Sequence, residues 1–153
     1  MLYAAWQNSK NAAGREWTIN NTALLFRFIP DVAKRRRISV PAAYAGLVMM
    51  WGGGISVGVG LEPRLGAAGL IFFLALGMLI HRINRQDVLA LGKEISEAAP
   101  AVAAKANELA WSGFGAHLAA GLKNVSMIGV NVIFLLDGTG RFTVSDHIGA
   151  WLF

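Results

Sequence analysis

Three histidines, His81, His117 and His147, are the side chains of this sequence best suited to acid–base or ligand chemistry near neutral pH. None stands at metal-ligand spacing from another histidine or from a suitable carboxylate, so no metal site is expected. Ser145, Asp146 and His147 carry the atoms of a hydrolytic triad, but they adjoin in sequence, and adjacent positions on a helix do not face one another. Gly138-Thr139-Gly140 is too short for a dinucleotide fingerprint and follows no strand, and no phosphate loop with its lysine is present. The absence of cysteine removes disulfides, thiolate zinc sites and iron–sulfur clusters. No catalytic residue is assigned, and the chain is not read as an enzyme.

His117 stands apart from the other two. It lies in Gly113-Phe114-Gly115-Ala116-His117-Leu118-Ala119-Ala120-Gly121, with small residues on both sides. A flat macrocycle needs an axial imidazole and room beside the backbone, which makes His117 a candidate ligand for a haem or chlorophyll contact. The plainer reading is a histidine hydrogen-bonded to a neighbouring helix. A bis-histidine haem would need a partner at the same depth, and His81 falls, by count, at the interface. Lys123 and Asn131, eight residues apart and close to one helical face, would line a polar seam or solvated pore. In the simpler alternative Lys123 snorkels and Asn131 bonds across a helix interface.

What must position these groups is a set of membrane helices. From Ile38 to Leu61 the chain runs twenty-four residues without a formal charge. At 1.5 Å per residue that is roughly 36 Å of helix, enough to cross a hydrocarbon core of about 30 Å. Lys34, Arg35, Arg36 and Arg37 precede it directly, the mark of a cytoplasmic flank, and are expected to contact anionic lipid headgroups. Inside the run Gly54 and Gly58 form a GxxxG pair, and Gly52 and Ser56 a second small-xxx-small pair, for close helix packing. Pro41 is placed near the start of this span, where its missing N–H costs nothing.

After the Glu62-Pro63-Arg64 turn, residues 65–81 form a second apolar run, shorter and richer in Phe and Leu. From 83 to 110 the pattern changes to an apolar stripe at Val88, Leu91, Ile95, Ala98, Val102 and Leu109, interleaved with charges of both signs. That predicts an amphipathic helix outside the bilayer, bent at Pro100, whose stripe fits a partner protein. Residues 116–136 give a third span, and 137–153 a tail on the far side, where Ser145 would cap a short helix bearing Trp151 and Phe153. Residues 1–37 read as a basic cytoplasmic or interfacial arm. In it, Asn20 or Asn21 would cap a helix from Thr22 to Ile29 that Pro30 stops.

The bulk numbers agree with this layout. Of 153 residues, 55% are hydrophobic and only 15% charged, against about a quarter in soluble domains. The net charge of +5 is carried entirely by residues 1–40, while residues 81–108 balance to zero. A basic excess confined to one flank reads as a topology signal, and no nucleic-acid partner is expected despite a pI near 10.1. No cleavable signal peptide is read, because Arg27 interrupts the apolar stretch Ala23–Ile29.

The fold class expected is therefore an all-α integral membrane protein with about three transmembrane helices plus an amphipathic cytoplasmic helix. Its placement is the bacterial inner membrane with the N-terminus cytoplasmic. The expected role is a structural or accessory subunit of a multi-subunit complex, respiratory or photosynthetic in its most concrete form, partnered by other membrane subunits. The alternative is a transport or secretion component whose identical copies build a ring, pore or filament.

Overall fold

Asp31 starts the first long helix by accepting hydrogen bonds from the N–H groups of Ala33 and Lys34 at 2.9 and 3.1 Å. The computed structural model describes residues 1–138. Residues 139–153, with the expected helix after Ser145, its Trp151 and Phe153, and His147, lie outside the described residues. Five α-helices make up the described chain: α1 (Leu2–Ser9), α2 (Ala12–Ala23), α3 (Val32–Val59), α4 (Pro63–Ala98) and α5 (Ala103–Asp137). The three long ones, α3 to α5, are long and apolar enough to cross a membrane.

Because α3 begins at Val32, Lys34–Arg37 occupy its first turns instead of preceding it. Pro41 is therefore interior, the tenth residue of the helix, and the carbonyl of Arg37 loses its usual amide partner. The expectation of a cost-free proline at the helix start is corrected. Gly60 ends α3 in the left-handed region, and the Ser56 hydroxyl donates to the carbonyls of Leu61 and Glu62 across the following turn. Pro63 then opens α4, where a proline needs no partner.

The second correction concerns residues 83–110. They do not form one bent helix. The chain continues unbroken from the second apolar run to Ala98, 36 residues or about 54 Å. Ala99, pushed out of helical geometry by the following proline (φ −139°, ψ 77°), ends α4, and Pro100–Val102 turns the chain back into α5. Residues 83–98 thus extend the second span, and 103–110 lead into the third.

The resulting antiparallel hairpin closes on small residues. A Cβ on Gly77 would stand 2.9 Å from the Asn124 amide, and one on Gly113 2.8 Å from Val88. One on Gly92 would collide with Ala110. Near the turn, the Ser96 hydroxyl reaches Asn107 Oδ1 at 3.2 Å, and at the far end Arg64 donates to the Leu136 carbonyl at 3.1 Å. On the other side of α4, Gly53 and Gly66 bring α3 into contact: a Cβ on Gly53 would meet Leu70 Cγ at 2.7 Å and the Gly66 carbonyl at 2.9 Å.

The N-terminal arm also departs from expectation. Asn11, rather than Asn20 or Asn21, caps a helix, accepting from Gly14 N–H at 2.8 Å. Helix α2 already contains Asn20 and Asn21 and ends at Ala23 before a tight turn, Leu24–Phe26. Together α1 and α2 fold back along α3. Arg36 and Glu16 pair at one end, and Trp51 Nε1 donates to Ser9 Oγ at 3.3 Å further on. Ala5 packs there with Leu47 and Met50.

Gly53→Ala should destabilise the detergent-solubilised chain by about 1–3 kcal/mol, the cost of overpacking, and so lower its melting temperature. Gly69→Ala, where a Cβ meets nothing within 4 Å, should leave it unchanged or raise it. Scanning fluorimetry decides; equal effects would mean that α3 and α4 do not meet at Gly53.

Candidate functional site

Antiparallel pairing about Pro100 places His81 on α4 beside His117 on α5. Their Nδ1 atoms are 3.3 Å apart, with ring centroids 5.6 Å apart and planes tilted by 42°. A hydrogen bond in this arrangement requires one Nδ1 to carry its hydrogen and the other to be bare, so it would link the two helices through opposite tautomers. The expectation that His81, at the interface by count, is a poor partner for His117 is corrected: the two stand at the same level. No flat macrocycle fits between rings in this contact; one bound to His117 would have to approach its outer Nε2 edge.

Around the pair runs a groove of about 300 Å³. Arg82 and Arg85 join the histidines on its polar side, while Met78, Leu79, Leu118, Leu122 and Val125 form its apolar side. The Arg85 guanidinium lies 5.2 Å from the centre of the Phe114 ring, and Phe114 packs edge-on to Trp111 at 5.3 Å. Lys123 lines a second hollow of about 270 Å³ with Ser126, Met127, Val130 and Asn131. Asn131 is buried (6% exposed), and its amide donates to the Met127 carbonyl of its own helix at 2.8 Å. Among the described residues no three His, Cys, Asp or Glu side chains converge as metal ligands.

The glycine pairs expected to make one helix–helix seam are divided. Gly54 is covered from within the chain, a Cβ there meeting Leu2 at 2.9 Å, whereas Gly52 and Gly58 have nothing within 4 Å. Ser56 serves the turn after α3. The close approach is made by Gly53, which the GxxxG spacing passes over. Three successive glycines offered three faces, and only the position of Gly66 on α4 selects among them.

The basic cluster divides similarly. Arg35 donates from Nε and Nη2 to the Ile29 carbonyl at 3.0 and 2.8 Å, tying down the turn before α3. Arg36 grips Glu16 through two hydrogen bonds of 2.6 and 2.9 Å. Lys34 and Arg37 are exposed and have no ion pair within the described residues.

No protein-family model, characterised protein or solved structure matches the chain.

The Arg36 hydrogen bond, reinforced by its charge, holds the Glu16 carboxyl below its ordinary value of 4.5. A depressed carboxylate contributes its stability fully above that pH and loses it as pH falls through the lowered value. Acidification through this range should raise hydrogen exchange in residues 2–23, after correction for intrinsic rates. E16Q should show raised exchange already at neutral pH, with no further acid step. Wild type and E16Q indistinguishable throughout would remove the ion pair from the docking of α2.

Proposed function

We propose that this chain is a small structural subunit of a larger membrane assembly, working by helix packing. We place it in a bacterial inner membrane, with the basic end of α3 and the Pro100 turn on the cytoplasmic side. The observation that carries this reading is apolar surface outside the bilayer. Helices α4 and α5, 36 and 35 residues long, are each over 50 Å, so roughly 20 Å of hairpin projects beyond a hydrocarbon core of about 30 Å. On that projection Leu91, Ile95, Val102, Leu109 and Trp111 are exposed, the last two by 62% and 63%. Lipid covers such side chains inside the membrane; on the projecting part only another protein surface would.

Charge supports a protein partner there. Lys93–Glu97 and Lys105–Glu108 pair on the same projection, giving a surface of mixed sign unlike that of a lipid-binding helix. In the N-terminal arm, exposed Leu2, Tyr3 and Trp6 are suited to face lipid or a neighbouring helix as α1 lies along α3.

A second reading, a transport or secretion component built from identical copies, draws on the open glycines of α3. Backbone at Gly52 and Gly58 is bare, and small residues let a second helix approach closely in lipid. Native mass spectrometry of the complex extracted in mild detergent separates the two by counting copies of the 16.3 kDa chain against other subunits.

Leu91→Glu with Leu109→Glu should release the chain from its assembly, seen as a fall to the monomer's migration on native electrophoresis. Circular dichroism should show helix content unchanged, because both side chains are exposed. An assembly that survives the double substitution would overturn the proposal that this surface docks a partner.

A further inference from the structure

We propose that the groove between α4 and α5 at His81 and His117 is a binding site for one anionic phospholipid. Its phosphate would sit between Arg82 and Arg85, with an acyl chain along Leu79, Leu122 and Val125. This does not depend on the assembly reading, only on the helices crossing a bilayer.

Position is the first support. On α4 no formal charge occurs from Leu65 to Ile80, and the charges resume at Arg82. The groove straddles that boundary, with Met78 and Leu79 on the hydrocarbon side and Arg82 and Arg85 on the water side. A phospholipid has the same division along its length. A small soluble anion would use the cations and leave the apolar walls without a role.

Unmatched charge is the second. None of the four ion pairs among the described residues involves Arg82, Arg85 or Lys123. Asp87, the acid nearest these arginines in sequence, is taken by Arg27 at 3.4 Å. Both arginines line the groove, so its water-side end is cationic. Guanidinium groups are suited to phosphate because their fixed fork donates two parallel hydrogen bonds.

Preorganisation is the third. Arg85 is held over the Phe114 face, and the 3.3 Å contact between the histidine Nδ1 atoms joins the groove's two walls. Arg82 is exposed and free to close over a headgroup. Both contrast with Arg35 and Arg36 on α3, whose donors are spent inside the chain.

The test uses the full chain in a neutral detergent, with native mass spectrometry reading retained lipid. Phosphatidylglycerol and phosphatidylcholine compete at equal concentration. The wild type should keep a single phosphatidylglycerol in preference. Arg82→Gln with Arg85→Gln should weaken retention roughly thirtyfold, as expected for two cations at a membrane surface. Lys34→Gln with Arg37→Gln should leave this bound lipid in place. Leu122→Trp, which fills the apolar side at an exposed position without touching a charge, should also expel it.

Equal retention of the two lipids would overturn the site, as would indifference to the arginine substitutions. Displacement by millimolar inorganic phosphate, with Leu122→Trp silent, would show a free-anion site instead. Loss of a protein subunit from the native complex of the arginine variant, with lipid retention by the isolated chain unchanged, would assign the arginines to an acidic partner helix and sink the proposal.

Discussion

Lipid tails are as apolar as leucine, so helices inside a bilayer gain little from hiding apolar side chains against one another. What associates them is close backbone approach, and the seams between the three long helices are of that kind. Gly53 against Gly66 and Leu70 joins α3 to α4. Gly77 against Asn124, Gly92 against Ala110 and Gly113 against Val88 join α4 to α5. At these seam positions glycine, costly to a helix in water, is offset by the dispersion contacts that the close approach allows. Large side chains such as Phe72, Leu79 and Ile133 are correspondingly displaced outward.

The hairpin turn at Pro100 converts those local seams into a site. Helices of about 54 and 52 Å exceed the bilayer, so their turn lies well outside it, and residues at matched distance from the turn come level. His81 and His117 are nineteen and seventeen residues from Pro100, near the depth where charge reappears on α4. The histidine contact, the arginines beside it and the apolar floor below it all follow from that geometry.

Much of this was legible in the sequence, and the failures share one cause. The charge-free run from Ile38 and the Leu- and Phe-rich run from Leu65 identified spans from composition, because burying charge in hydrocarbon costs several kcal/mol whatever the fold. Pro100 was visible too, but read as a bend. A proline inside a helical pattern permits either a kink or a stop, and the choice rests on tertiary packing: Gly92 and Ala110 can meet only if the chain reverses. With a bend in place of a reversal, His81 and His117 lie far apart, so the candidate site was lost with the turn. The N-terminal arm failed for a related reason. Asn11, Asn20 and Asn21 are all competent caps, and what decides among them is the docking of α2 through Glu16 on Arg36, a contact twenty residues away in sequence.

The polar residues of α5 carry a further consequence of the lipid constraint. His117, Asn124 and Asn131 recur every seven residues, so they share the face of α5 turned toward α4. Asn131 satisfies its amide on its own helix, but the Asn124 side chain, 9% exposed, makes no hydrogen bond within the described residues. A buried amide without a partner stabilises nothing directly. Its effect lies in what it forbids. Gly77 leaves room for it on α4, while rotation of α5 would put it into hydrocarbon. The alignment in which Asn124 fits beside Gly77 is also the one that brings His117 to His81 and Arg85 over Phe114.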